Sequence, residues 1–186
     1  MKYTQKNLAG ALIFIGTAWL LLGIIVSEAL YPGYRVTRMV SDLGVGSTAS
    51  IFNSAMIGFS LLILVAACLL IHAGMNRSFL VLLVLTGIGA AGVGIFPENI
   101  PVPHAISAIM VFVCGSICAL AACRCFSGLW SLVSPALGII ALIATILLGD
   151  KVYCGLSAGG MERMIVYPLI LWALGTGAYL MAPEQR

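Results

Sequence analysis

Charged side chains are scarce in this sequence, and long stretches of it carry no titratable group. Lys and Arg together number nine, and Asp and Glu number six, among 186 residues with two histidines. The charged fraction of 8% lies far below the roughly 25% of soluble domains, while the hydrophobic fraction is 62%. This composition excludes an ordinary soluble protein and leaves no room for a separate soluble domain.

Some motifs with well-defined chemistry are also missing. No C-x-x-C pair occurs among the six cysteines, so we expect the cysteines to pack as small hydrophobic side chains. The glycine-rich stretch 87–94 lacks the Lys-Ser/Thr ending of a phosphate-binding loop. Its small residues instead predict close packing between membrane helices.

Long apolar runs make up most of the chain. Three of them exceed the roughly 18 residues that mark a membrane-spanning helix, and three more reach that length with only weakly polar interruptions. The first run follows Lys2 and Lys6 and is too long for the hydrophobic region of a signal peptide, so we expect a retained helix. The sequence predicts an all-α integral membrane protein, a single domain over 1–186 that forms a six-transmembrane-helix bundle made of three helical hairpins. The predicted spans are 8–30, 50–73, 79–96, 103–123, 129–149 and 162–181.

The distribution of charge around these spans predicts their orientation. With both termini in the cytoplasm, the inner side carries five Lys or Arg against one acid, and the outer side carries four against five. The positive excess inside favours this orientation, with the protein in the cell membrane. Five of the six acidic residues then share one end of the bundle. The inner charges are Lys2, Lys6, Arg77, Arg124, Arg186 and Glu184, and the outer ones are Arg35, Arg38, Lys151, Arg163, Glu28, Asp42, Glu98, Asp150 and Glu162.

The first outer loop, 31–49, is the longest connection. Its apolar residues recur at helical spacing over 34–43, and Arg38 and Asp42 stand four residues apart on another face. This pattern predicts a short amphipathic helix over 34–43 that lies in the headgroup region. Such a helix could simply cap the bundle, or it could form a lid over a binding site.

The second outer loop places two titratable groups among prolines. Pro97 should end the third span, and Pro103 suits the first position of the fourth helix. Glu98 would then follow a helix end, and His104 would lie in a first turn, where the helix dipole favours a neutral ring. Glu98 and His104 are therefore the candidates for an acid or base.

The third outer loop leads into the last span through Glu162 and Arg163. The helix dipole favours Glu162 at a helix start but not Arg163, so we expect Arg163 to face a carboxylate. Tyr167 lies one turn further along the same side. Zinc held by His104 and nearby carboxylates is an alternative, but sites with a single histidine are uncommon. We predict no metal and no cofactor.

Four groups of short motifs carry a resemblance to a known family. They are S-D-L-G at 41–44, F-N at 52–53, G-I-F-P-E at 94–98 with P-H at 103–104, and M-E-R-M-I-V-Y-P at 161–168. With them, nearly the whole chain resembles the small multi-pass membrane proteins of domain-of-unknown-function family 998. The resemblance implies a six-span fold and brings no established activity. It also implies a shared extracytoplasmic polar site built from Asp42, Asn53, Glu98, His104, Glu162 and Arg163.

The outer polar residues are compatible with several roles. Charges near an apolar boundary persist mainly when paired, so a salt-bridge network that ties the hairpins together is one of them. The first functional hypothesis is binding of a lipid headgroup or of a partner protein. The alternatives are a membrane-embedded, hydrolase-type enzyme that acts on lipid through Glu98 or His104, and a small transporter. We predict membrane lipids or a membrane protein as partners, and no nucleic acid. The predicted site comprises Glu28, Arg38, Asp42, Asn53, Glu98, His104, Glu162, Arg163 and Tyr167.

Overall fold

The computed structural model describes residues 3–182, and six long helices make up most of them. Each of the six is long and apolar enough to cross a membrane, and no strand occurs among the described residues. The predicted fold class, an all-α bundle of six membrane-spanning helices, is confirmed. The helices are α1 (Gln5–Leu30), α2 (Ala49–His72), α3 (Arg77–Ile95), α4 (Pro101–Arg124), α5 (Trp130–Gly149) and α6 (Ser157–Met181).

The helices form a ring around a shared core. Each helix packs against its neighbours in the chain, and α6 returns to pack against α1, which closes the ring. Side chains such as Ala9, Ile13 and Ile63 are buried at the contacts, whereas Ile15 and Leu22 of α1 are exposed. Large exposed apolar side chains are expected where the surrounding solvent is lipid.

Glycines in α3 let two neighbouring helices approach closely, as the sequence predicts. A Cβ atom at Gly92 would lie 2.2 Å from Ser107 Oγ of α4. One at Gly94 would lie 2.8 Å from the Asn53 carbonyl oxygen of α2. Both distances are shorter than real Cβ contacts, so glycine is required for these approaches. The small residues of α3 therefore pack it against α2 and α4 at once.

Helix α4 starts earlier and is less regular than predicted. Pro101, and not Pro103, takes the first helical position, where a missing N–H costs nothing. A π-helical turn at Met110–Cys114 interrupts the helix, and a 3-10 turn at Ala122–Arg124 ends it. Turns of the π type are rare and occur frequently at functional sites. In this protein, the turn contains Phe112, which lines the cavity described below.

The predicted amphipathic helix over 34–43 is wrong. Residues 31–48 form an irregular loop in which the only helix is a 3-10 turn at Ser41–Gly44. Part of the loop backbone bonds to α6, since the Thr37 carbonyl oxygen accepts from Gly159 N at 3.2 Å. Backbone groups of the loop are thus bonded to residues outside it. These bonds stabilise the irregular loop more than the weak apolar periodicity stabilises a helix.

One end of the bundle collects the three loops predicted to lie outside. Residues 31–48, 96–100 and 150–156 meet there, and we call this region the acidic end. Part of the charge tally that predicts the orientation lies outside the described residues. The cytoplasmic placement of both termini therefore stays a prediction. The charges concerned are Lys2, Glu184 and Arg186.

Candidate functional site

The first polar grouping at the acidic end centres on Arg163, a residue of α6 that is 8% exposed. Its Nη1 donates to the carbonyl oxygens of Val36 and Arg38, both at 2.9 Å. Its Nη2 donates to the Tyr34 hydroxyl at 2.8 Å and forms an ion pair with Glu28. The prediction that Arg163 faces a carboxylate is confirmed. We call Arg163, Glu28 and Tyr34, with the loop carbonyl groups bound to Arg163, the Arg163 clamp.

Tyr34 completes the clamp from the side of the loop. Its hydroxyl accepts from Arg163 and donates to the Met39 carbonyl oxygen at 2.9 Å. Burial raises the pKa of Tyr34, which keeps the phenol protonated and able to donate. Among the buried side-chain polar atoms of the clamp, only Arg163 Nε lacks a partner in the described part of the chain. Hydrogen bonds therefore join the end of α1, the first loop and α6 into one unit.

The first turns of α6 contact the first loop and so bring Arg163 close to the loop carbonyl groups. The prediction that this helix begins at Glu162 is wrong: it begins at Ser157, so the dipole of the first turn does not govern the charged pair. Ser157 has a φ of +67°, in the left-handed region, and its hydroxyl donates to the Thr37 carbonyl oxygen at 3.2 Å. Gly159 lies so close to the loop that a Cβ there would be 1.9 Å from the Arg38 carbonyl oxygen. Contact with the loop thus extends the helix beyond its apolar run.

Glu162 adds a second connection between α6 and the loop. It is 4% exposed, and its carboxylate accepts a hydrogen bond from Val40 N. The same side chain lines a cavity inside the ring of helices. Arg163 and Glu162 are adjacent in the sequence, yet they contact different parts of the loop.

The second polar grouping lies between the first loop and the start of α4. It comprises Ser41, Asp42, Glu98 and His104, and we call it the Glu98 site. Asp42 accepts from Arg38 Nε at 3.1 Å, so the predicted ion pair forms although the predicted helix does not. Burial raises the pKa of Glu98, and the neighbouring Asp42 carboxyl raises it further. Ser41 and His104 act on it in the opposite direction, although the Ser41 hydroxyl lacks the geometry of a hydrogen bond.

The second loop holds His104 in one tautomer. Its Nδ1 lies 2.9 Å from the Phe96 carbonyl oxygen. A carbonyl oxygen can only accept, so Nδ1 carries the hydrogen and the neutral ring presents Nε2 as an acceptor. His104 N donates to the Ile100 carbonyl oxygen at 3.1 Å, which places His104 near the start of α4, as predicted.

A cavity of about 90 Å³ lies inside the ring, next to the Glu98 site. Its polar end is formed by Ser41, His104 and Glu162, and it extends between the helices to Trp172. Every helix except α5 contributes to its walls among the described residues. A mainly apolar cavity with a few polar groups at one end is typical of a small-molecule site. Apolar wall residues include Ile24, Phe52, Val93, Ala108, Phe112 and Ala173.

Two of the predicted site residues lie apart from both groupings. Asn53 Nδ2 donates to the Gly44 carbonyl oxygen at 3.1 Å, so this amide supports the 3-10 turn of the first loop. Tyr167 is 39% exposed and makes no hydrogen bond to the clamp or to the Glu98 site among the described residues. The remaining predicted residues belong to the Arg163 clamp, belong to or border the Glu98 site, or, for Glu162, lie between them.

Sequence reasoning missed three residues of interest. Tyr34 and Ser41 were missed because the site was predicted mainly from charged residues, and neither carries a charge. For Ser41 a signal was present, since it is the first residue of the S-D-L-G motif. Residues 155–159 spell G-x-S-x-G, the pattern of a nucleophile elbow, with Ser157 at its centre. No strand precedes Ser157, its hydroxyl donates to the Thr37 carbonyl oxygen, and no described histidine bonds to it. The structure therefore gives this serine a role in holding the loop.

Metal ligands and cysteines are dispersed. Within residues 3–182, no three His, Cys, Asp or Glu side chains lie close enough together to hold a metal ion. All six cysteines are free thiols. Cys118 is buried, as expected of a small hydrophobic side chain, whereas Cys68, Cys123 and Cys154 are exposed.

A protein-family model matches most of the chain. The model of the family described as Protein of unknown function (DUF998) matches residues 14–179, which is most of the chain. This match confirms the resemblance carried by the short motifs. The curated proteins and the solved structures give no match.

Proposed function

The chain belongs to the DUF998 family of proteins and is a multi-pass membrane protein, and we propose that it binds a single-chain lipid. The part of the hydrocarbon chain next to the head occupies the cavity, and the polar head lies at the Glu98 site. The observation that carries this proposal is the cavity itself, which is apolar along its walls and polar at the acidic end.

The walls of the cavity favour a hydrocarbon guest over water. Its volume of about 90 Å³ exceeds the roughly 10–15 Å³ that one water needs, but a stable water also needs two to four polar partners. The wall hydroxyls of Thr17 and Thr86 already donate to the carbonyl oxygens of Ile13 and Leu82 in their own helices. Because the chain of a membrane lipid is already out of water, a hydrocarbon segment in this space would be stabilised by its packing contacts with the walls and not by the hydrophobic effect.

The polar end of the cavity supports the proposed position of the head. Glu162 is one of its polar side chains, but its carboxylate is already bound to Val40 N of the loop. Ser41 and His104 remain, and both belong to the Glu98 site. A lipid whose chain fills the cavity would thus present its head to these two residues and to Glu98 beside them.

Filling the cavity tests the proposal. Ala108 lines the cavity from α4, so the bulk of Ala108→Phe should displace the hydrocarbon chain. Ala105 is exposed on the same helix, and Ala105→Phe is the matched control. Native mass spectrometry of protein purified from its own membranes should find lipid bound to the wild type and to Ala105→Phe, and little on Ala108→Phe.

Two outcomes would contradict lipid binding. Lipid retained by Ala108→Phe at the wild-type level would show that the cavity is not its site. Wild-type protein that carries no lipid but copurifies with another membrane protein would favour the partner-protein hypothesis instead.

Catalysis on the bound lipid is a second candidate, favoured by the tautomer of His104. Its Nε2 is left as an acceptor at the polar end of the cavity, where a general base would be needed. Lipid turnover by the wild type that is lost in His104→Gln, with lipid still bound, would support this candidate over simple binding.

A further inference from the structure

Two nitrogen donors in or beside the Glu98 site are already used within the protein. Arg38 Nε donates to Asp42 at 3.1 Å, and His104 Nδ1 donates to the Phe96 carbonyl oxygen at 2.9 Å. The Arg38 side chain is 47% exposed and does not line the cavity. Neither of these donor atoms is available to a molecule inside the cavity.

Acceptors, by contrast, remain unused. Ser41 Oγ, Glu98 Oε2 and Asn53 Oδ1 are buried without a hydrogen-bond partner among the described residues. Asn53 lies behind the same 3-10 turn as Ser41, to which its Nδ2 donates at Gly44. Buried polar atoms are paired in the great majority of cases, so the unpaired oxygens of Ser41 and Glu98 in one site need an explanation.

One of the unpaired oxygens, Ser41 Oγ, lies at the cavity. It is 6% exposed, its hydroxyl has no partner, and it lines the polar end of the cavity. His104 lines the same end and presents Nε2 as a further acceptor. The Ser41 hydroxyl can donate or accept, whereas the ionised Glu98 carboxylate and His104 Nε2 can only accept, so a ligand head that satisfies the whole site must bring hydrogen-bond donors with it.

The charges of the site favour the same kind of head. Asp42 and Glu98 are neighbouring carboxyl groups, and only the partly exposed Arg38 is paired with them. No lysine or arginine lines the cavity within residues 3–182. Arg163 is buried nearby, but the loop carbonyls, Tyr34 and Glu28 already occupy its two Nη atoms. A phosphate head would therefore meet carboxylates without a cation, whereas a cationic head would be matched.

We propose that the Glu98 site binds a primary ammonium group, so that the ligand is a single-chain amine with the first part of its hydrocarbon tail in the cavity. This inference rests on the function proposed above and names the class of head that the site selects. An ammonium group carries three donors and no acceptor, which suits Ser41 Oγ, the Glu98 carboxylate and His104 Nε2. A hydroxyl head has one donor and no charge, so it satisfies fewer of these atoms.

Three probes with the same chain test this selectivity: dodecylamine, dodecanol and dodecyl phosphate. The full chain is reconstituted in phosphatidylcholine nanodiscs, and binding is measured by titration calorimetry against empty nanodiscs. We expect the amine to bind the wild type at least about tenfold more tightly than the alcohol or the phosphate, because its hydrogen bonds are charge-assisted.

Glu98→Gln removes the carboxylate and keeps the shape of the side chain. It should reduce amine binding to about the level of the alcohol and change alcohol binding much less. Asp150→Asn is the matched control, because Asp150 is an exposed acid at the same end of the bundle and outside the site. If Glu98→Gln does not fold, Ser41→Ala is the second variant, and it should weaken amine binding severalfold with a smaller effect on the alcohol.

The pH dependence of binding separates the Glu98 site from nonspecific attraction. An ammonium group favours ionised Glu98, so its affinity should rise with pH across the range in which this carboxyl loses its proton. Asp42 of the loop, His104 of α4 and Glu162 of α6 also face Glu98. The rise must therefore disappear in Glu98→Gln to be assigned to this residue.

The possible results separate this inference from the proposed function. Equal binding of the three probes, tightest binding of the phosphate, or an amine preference that persists in Glu98→Gln would overturn the ammonium site while lipid binding stands. Failure of all three probes to bind the wild type would overturn both.

Discussion

The Arg163 clamp and the Glu98 site lie at the same end of the bundle, and each holds a carboxyl group near an arginine, yet their hydrogen bonding differs. In the clamp, both Nη atoms of Arg163 and the hydroxyl of Tyr34 have partners. At the Glu98 site, Ser41 Oγ and Glu98 Oε2 are buried without one. The clamp fastens a loop to a helix, whereas the Glu98 site is where we propose that a ligand binds.

This difference shows that buried charge alone does not mark a binding site. Arg163 and Glu162 are the buried charged side chains among the described residues, and both bond to the first loop. Leaving a buried polar atom unpaired costs about 1–3 kcal/mol, so such atoms next to a cavity are the stronger indication of function. The predictions below test whether one grouping serves stability and the other does not.

The largest loss of stability should come from replacing Arg163, the residue at the centre of the clamp. Arg163→Met leaves Glu28, whose side chain is only 22% exposed, without its cation and three carbonyl groups without their donor. We expect a loss of roughly 3 kcal/mol in the free energy of unfolding, because breaking a buried ion pair strands the remaining charge. Thermal unfolding in detergent measures this loss.

The matched control for Arg163→Met is Arg38→Met, which removes an exposed ion pair with Asp42. Exposed pairs contribute little to stability, so its unfolding midpoint should stay close to that of the wild type. Equal midpoints for the two variants would show that the clamp does not stabilise the fold.

A smaller loss should follow from separating α6 and the first loop. A Cβ at Gly159 would lie 1.9 Å from the Arg38 carbonyl oxygen and 2.3 Å from its carbon, so Gly159→Ala must push the backbone apart. Overpacking of this kind costs about 1–3 kcal/mol. Gly149→Ala, where nothing lies within 4 Å, should cause no such loss. An unfolding midpoint of Gly159→Ala that matches Gly149→Ala would contradict the close contact.

The smallest change in stability should come from Glu98→Gln. At neutral pH we expect this change to be a gain, whereas the two changes above are losses. Because the folded-state pKa of Glu98 is raised above its ordinary value of about 4.5, the folded protein binds more protons than the unfolded chain just above that pH. Stability should therefore fall as the pH rises through this window and level off once both states are ionised. Glu98→Gln stays neutral, so it should be more stable than the wild type at neutral pH.

Unfolding midpoints of the wild type and of Glu98→Gln across this pH range check the linkage. We expect the two to converge below the ordinary carboxyl pKa, where both states of the wild type are protonated. Parallel profiles over the whole range would mean that Glu98 does not titrate differently in the folded protein.

The accuracy of the sequence predictions varied along the chain for physical reasons. The bounds of α1, α2, α3 and α5 follow the ends of apolar runs, which are local properties of the sequence. The start of α6 does not, since G-L-S-A-G-G has the composition of a turn and becomes helical where Ser157 and Gly159 bond to Thr37. The first loop was misassigned for the same reason, because its backbone partners lie on α6.

The candidate site was predictable as a set of residues but not as an arrangement. Charges in an apolar chain are few, so Glu98, His104 and Arg163 were found by their scarcity. The unpaired oxygen of Ser41 and the hydroxyl of Tyr34 had no such signal. Which of these side chains have hydrogen-bond partners depends on the three-dimensional arrangement of the loops and helices, and this cannot be read from the composition.

By itself the sequence determined that the chain forms six membrane-spanning helices and that five of its six acids collect at one end. Both follow from sums over contiguous residues, since hydropathy and charge are additive along a helix and its loops. Only the tertiary structure decided that Arg163 pairs with Glu28, at a separation of 135 positions, and that the Glu98 site opens on a cavity. These features are decided by hydrogen bonds and packing between distant parts of the chain, which depend on how the helices assemble.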